Sequence, residues 1–214
     1  MSYNDVSSYV VAIARNSPNG ANLLGTGFIV GNGLIATTKH VTNADENNLS
    51  IIIPKYKLND YQDTSDGSVD ILKASIEHVD SIKDICILRI QANVAPGYNL
   101  RGSDEISPGS IVTVFGFPHA DYGRMVLTQQ TTQVGAKVLI QSQGIKNKHF
   151  VLNTQARPGQ SGGPVFFKDS IVGMLIGSYA PGGSSGISLA GVDPLTLHQT
   201  THVISAEYIK EMLM

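Results

Sequence analysis

Apolar residues in this chain arrive in short runs rich in Val, Ile and Thr, and each run is cut off by Gly, Pro, Asn or Asp. Tyr9–Ala14, Gly27–Val30, Leu34–Thr38, Ser50–Ile53 and Ile85–Ile90 fall in the first half. Ile111–Phe115, Lys137–Gln141, His149–Asn153, Val165–Phe167 and Ile171–Ile176 follow in the second. Many short strands at this spacing predict an all-β sandwich or barrel. The pair Asn32-Gly33 between two runs predicts a hairpin with a type I′ turn. The turn-rich stretch 91–109, with Pro96 and Pro108, divides the strands into two groups of similar size. Only the end of the chain has a helical period: Ser205 is placed to cap a helix whose face carries Tyr208, Ile209, Met212 and Leu213.

Composition narrows the classes of function. Charged residues make up 15% of the 214-residue chain and the formal net charge is −2, well below the roughly 25% charged content of an average domain. No Lys/Arg cluster stands out, so a nucleic-acid partner lacks its electrostatic footprint. No stretch approaches the length of a membrane span, and the first residues carry no signal-peptide pattern. Cys86 is the only cysteine, which excludes an intrachain disulfide and points to a soluble protein of a reducing compartment, most simply the cytoplasm.

The segment "RPGQSGGPV", Arg157 to Val165, invites the reading of Ser161 as a nucleophile. Its G-x-S-x-G core fits the elbow of an α/β-hydrolase as well as the glycine-rich loop of a chymotrypsin-like protease. An elbow needs a helix directly after the serine, whereas Pro164 and Val165-Phe166-Phe167 suit a strand. It also needs its acid and histidine downstream, where they would crowd into the last 53 positions. The elbow fails on context.

A serine hydroxyl needs an imidazole to take its proton, and that imidazole needs an acceptor to fix its tautomer. Two upstream segments supply the pair: "TTKHV" with His40, and "DICILRI" with Asp84. With "GQSGGPV" they stand in the order His, Asp, Ser, 44 and then 77 residues apart. These three segments resemble those of the trypsin/chymotrypsin-like serine proteases, and most closely the HtrA-like branch. "GTGFIV" before the histidine and Gly116-Phe117-Pro118 in the second half agree with that family, and the likeness runs from about Val10 to the terminal helix.

The resemblance implies two antiparallel six-stranded β-barrels with a C-terminal α-helix. The N-terminal barrel would span about 1–95, the C-terminal barrel about 106–203, and the helix 205–213. It implies a serine endopeptidase in which His40 is general base and acid, Asp84 orients it, and Ser161 forms an acyl-enzyme. The N–H groups of Gly159 and Ser161 would form the oxyanion hole. Counting back from the nucleophile puts Gln155 at the base of the specificity pocket, a neutral residue that argues against cleavage after Arg or Lys. Ile176-Gly177-Ser178 would be the edge that pairs with substrate, with His198, Thr200, Thr201 and His202 near the back wall. The implied partner is a protein or peptide substrate, with no cofactor and no metal.

Two departures separate the chain from the digestive relatives. Gln160 replaces the aspartate that pairs with a freshly cut N-terminus, and Val41 follows His40 where a disulfide cysteine would stand. Control by propeptide cleavage is therefore not expected, and no PDZ domain follows the helix. Two routes of control remain. In one, a protein activator or substrate orders 157–161 and the Gly/Ser-rich loop 179–197; in the other, the pocket is pre-formed and narrow in specificity. The loop's length favours the first. A catalytically silent peptide-binding module on the same fold is the alternative reading. His78, His119 and His149 show no metal-ligand spacing. The acid-rich 60–70 stretch lacks the spacing of a calcium loop, and Cys86 is a small core residue.

Overall fold

The structure is a computed structural model that describes residues 3–18, 20–179 and 200–214. Twelve of the thirteen strands among the described residues build two closed barrels. The first runs β1 (Val10–Ser17), β2 (Gly20–Gly31), β3 (Leu34–Thr38), β4 (Leu49–Ile53), β5 (Asp70–Asp80) and β6 (Ile85–Ile90). Its order is β1-β2-β3-β6-β5-β4, all antiparallel, and β1 closes it against β4. The second uses β8 (Ile111–Gly116), β9 (Thr128–Ser142), β10 (Ile145–Leu152), β11 (Pro164–Phe167), β12 (Ser170–Tyr179) and β13 (Thr200–Ser205). These close as β8-β9-β10-β13-β12-β11. The two-residue β7 (Asn99–Leu100) adds to β12 in parallel.

Alternation along the strands explains why so many of them are apolar on both faces. In β1, Val11 and Ile13 fill the first barrel with Ile29, Ile35, Ile51 and Leu88. The intervening Val10, Ala12 and Ala14 instead join Phe28, Ile87, Phe115, Phe117 and Phe166 between the barrels. The second barrel has its own interior, with Val112, Phe150, Val165 and Val203. Edge-to-face contacts run Tyr9–Tyr98–Phe166–Phe115 across the junction, with centroids 4.7–5.4 Å apart. A one-residue slip of β1 would put Val10, Ala12 and Ala14 in the barrel and Val11 and Ile13 at the junction, so packing on both faces fixes its register.

Two local expectations differ from the structure. The hairpin at Asn32-Gly33 forms, but only Gly33 has a positive φ, 66°, so the turn is not type I′. A bulge between Ile29 and Gly31 supplies the local twist instead. The type I′ pattern occurs at Gln143-Gly144, with φ of 49° and 81°, and closes the β9–β10 hairpin. The C-terminal helix α2 is Glu207–Met212 and Ser205 does not cap it. That hydroxyl lies at the end of β13, accepting from Ser103 N–H and donating to Glu207.

Candidate active site

His40 lies in a single helical turn, α1 (Lys39–Thr42), directly after β3. Asp84 stands one residue before β6, which pairs with β3 through Thr38 and Ile85. The pairing therefore brings two residues 44 positions apart side by side. Asp84 Oδ2 lies 2.6 Å from His40 Nδ1, and Oδ1 accepts the His40 backbone N–H at 2.9 Å. The Asp84 carbonyl accepts the Lys39 N–H as well, at 3.0 Å. Asp84 sits at φ 58°, a left-handed conformation that aspartate tolerates better than most residues. A carboxylate accepts only, so Nδ1 is the donor and Nε2 of the neutral ring carries the lone pair.

Ser161 follows a tight turn between β10 and β11. Gly159 has φ 89°, and a Cβ there would come within 2.4 Å of the Phe117 carbonyl. Gly162, at φ 86°, would meet the Thr26 carbonyl at 2.0 Å. Both positions demand glycine by conformation and by space. The turn closes on its own atoms: Gln160 N–H donates to the Arg157 carbonyl at 3.1 Å, and Arg157 N–H donates to Gln160 Oε1 at 2.8 Å. Gln160 is 2% exposed, so its side-chain amide is held inside the turn.

His40, Asp84 and Ser161 line one cleft of about 680 Å³ between the barrels. Ser161 Oγ donates to the Ile176 carbonyl at 2.9 Å, and the described contacts of His40 Nε2 are to Thr38 Oγ1, at 3.5 Å. Ile176 and Gly177 also line the cleft; a Cβ on Gly177 would meet only Ser161 Oγ, at 3.8 Å. Glycine there leaves the space beside the serine open. Gln155 is exposed and does not line this cleft. Ser178 belongs to β12, Thr200, Thr201 and His202 to β13, and His198 lies outside the described residues, as does 180–197.

The cleft has a wall that sequence reasoning missed. In the β9–β10 hairpin, Ile140 pairs with Asn147 and Val138 with His149, so Ile140, Asn147 and His149 share the face toward the cleft. Recognising Gln143-Gly144 as a turn would have fixed this register. His149 is 8% exposed, its Nδ1 is buried without a hydrogen-bond partner, and burial pushes its pKa down to about 4. Burial lowers His202 too. Both rings are therefore neutral near pH 7. Among the described lining residues Asp84 is the only carboxylate, and His40 already occupies it.

Residues 25–177 match the family described as trypsin-like peptidase domain. The chain belongs to the trypsin-like peptidase family. Two curated relatives of this trypsin-like peptidase carry the name "Probable periplasmic serine endoprotease DegP-like". The one from Hahella chejuensis (strain KCTC 2396) is 30% identical over 184 residues, covering 82% of this chain and 34% of the relative. The one from Pseudomonas fulva (strain 12-X) is 30% identical over 182 residues, covering 79% and 32%. The chain thus spans about a third of the length of these relatives. Among solved structures, the MamO protease domain from Magnetospirillum magneticum superposes with TM-score 0.70 at 18% identity, covering 100% of both chains. The active form of the Rv3671c protease from M. tuberculosis gives 0.67 at 18% identity, covering 98% of this chain and 83% of that one. At such identities the likeness concerns the fold, two barrels with few helices. No helix among the described residues is long and apolar enough to cross a membrane. The periplasmic label belongs to the relatives, and the cytoplasmic expectation gains no support from them.

Proposed function

We propose that this trypsin-like peptidase is a serine endopeptidase working through His40, Asp84 and Ser161. The observation that carries the reading is the double grip of Asp84 on His40, with Ser161 in the same cleft. Asp84 fixes the tautomer that leaves Nε2 free to accept a proton, and it stabilises the imidazolium that follows. For reaction the Ser161 hydroxyl leaves the Ile176 carbonyl and presents its proton to His40 Nε2 across the same cleft. The hydroxyl then attacks the scissile carbonyl carbon as Nε2 takes its proton. Collapse of the tetrahedral intermediate breaks the C–N bond, His40 returns the proton to the leaving amine, and water releases the acyl group by the same steps.

The N–H groups of Gly159 and Ser161 receive the developing oxyanion. Neither donates a hydrogen bond to a described residue, whereas Gln160, Gly162 and Gly163 N–H are all engaged. Substrate pairs as a strand with Ile176–Ser178, and the largely apolar cleft, with Lys83 in its lining and Asp84 engaged by His40, favours uncharged over basic side chains. The substrate is a protein or peptide, and a protein activator is a further candidate partner. A silent peptide-binding module is the second reading, favoured by the bond from Ser161 to Ile176 instead of His40. A fluorophosphonate probe separates the two: the endopeptidase takes one adduct at Ser161 and the silent module takes none.

A further inference from the structure

Thr26 lies in β2 of the first barrel, is fully buried, and makes three hydrogen bonds to the nucleophile turn of the second barrel or its support and a fourth to Thr37 in β3. Its Oγ1 donates to the Gly159 carbonyl at 2.7 Å and accepts the Phe117 N–H at 3.1 Å. Its N–H donates to the Ser161 carbonyl at 2.9 Å, and its carbonyl accepts from Thr37 Oγ1 at 2.7 Å. In a trans peptide the carbonyl of one residue and the N–H of the next point in opposite directions. Each bond to a carbonyl in this turn therefore also aims the following N–H.

The planes are fixed in sequence. The His119 N–H holds the Pro158 carbonyl at 2.6 Å, which turns the Gly159 N–H away from His119. Thr26 Oγ1 holds the Gly159 carbonyl, and the Gln160 N–H accordingly points back to Arg157. The Gly163 N–H holds the Gln160 carbonyl at 3.0 Å, turning the Ser161 N–H the other way. Thr26 N–H holds the Ser161 carbonyl, and the Gly162 N–H points to Leu175. Gly159 is the weak point, because a glycine at positive φ can rotate its flanking peptides with little steric resistance.

We propose that the Thr26 hydroxyl is a positioning group for the oxyanion hole. By accepting from Phe117 it anchors the segment whose His119 holds the Pro158 carbonyl and so aims the Gly159 N–H, and by holding the Gly159 carbonyl it fixes the other peptide flanking that flexible glycine. The proposal rests on the endopeptidase reading above. Thr26 touches no substrate; it acts through Gly159.

The test compares T26V, which removes the hydroxyl at nearly constant volume, with T26S, which keeps it. T26A is the second variant, removing the same hydroxyl without the valine methyl should T26V fail to fold. T26V or T26A is expected to lose about 10²-fold in kcat, as for a lost oxyanion donor, with KM within about three-fold. T26S retains activity within a few-fold. A peptide aldehyde, which forms a hemiacetal oxyanion at Ser161, loses affinity in step with kcat, whereas the matching peptide alcohol does not. Equal losses for aldehyde and alcohol, or wild-type kcat in a folded hydroxyl-free variant, would overturn the proposal. A wild-type protein that neither hydrolyses peptides nor captures the aldehyde would instead refute the endopeptidase reading on which it stands.

Discussion

Asp84 holds His40 by two atoms at once, the ring Nδ1 through Oδ2 at 2.6 Å and the backbone N–H through Oδ1 at 2.9 Å. One oxygen sets the tautomer and the other sets the turn on which the ring is mounted. Asp84→Asn keeps an acceptor for one of these contacts but can present an amide donor to Nδ1, which favours the wrong tautomer. The expected outcome is a loss of about 10⁴-fold in kcat with the fold retained, checked by kinetics beside a circular-dichroism melt.

His149 predicts how stability depends on pH. Its ordinary pKa of 6.5 is lowered to about 4 in the folded chain, chiefly by burial and secondarily by His202. Above pH 6.5 the ring is neutral folded or unfolded and adds no pH dependence. Between pH 6.5 and 4 the unfolded chain takes a proton that the folded chain refuses, so stability falls as pH falls. The loss is on the order of 1–3 kcal/mol, at roughly 2–4 °C of Tm per kcal/mol for a chain of this size. Melting curves of wild type and His149→Gln over pH 4–7 should diverge in that window, with the variant less pH-dependent.

Gln160 and Arg157 bear on control. The turn at 157–161 is closed by its own reciprocal bonds, which weighs toward a pre-formed pocket and against the activator route favoured by loop length. Fast, stoichiometric fluorophosphonate labelling of the purified chain is the expected result. Slow labelling accelerated by a tight peptide ligand would return the argument to an activator. Gln160→Ala removes the side-chain half of the pair, leaves the part-buried Arg157 N–H without that acceptor, and should slow labelling at least about ten-fold.

Phe166 tests the inter-barrel packing. It is 1% exposed and contacts Tyr3, Tyr98 and Phe115 edge-to-face. Phe166→Ala should destabilise the chain by about 3–5 kcal/mol, measured by urea unfolding.

The architecture and the His40–Asp84 pairing were legible because each strand has a local signature and each motif is contiguous. Every one of the ten apolar runs overlaps a strand. The missed strands are those with weak local signals. β5 is mostly exposed, and β13 reads as Thr-Thr-His before it turns apolar. The cleft wall at Ile140, Asn147 and His149 depends on hairpin register, a property of two strands together. Gln155, reached by counting back from Ser161 without gaps, does not line the cleft that holds Ser161. Thr26 was visible only as part of "GTGFIV", since its partners in the second barrel are more than ninety positions away.

The most direct measurement is a diverse peptide-library digest read by mass spectrometry, with Ser161→Ala run in parallel. The endopeptidase reading predicts discrete cuts by the wild-type chain, few of them after Arg or Lys, and none by Ser161→Ala. An intact library in the wild-type digest, or the same cuts by the Ser161→Ala protein, would contradict it.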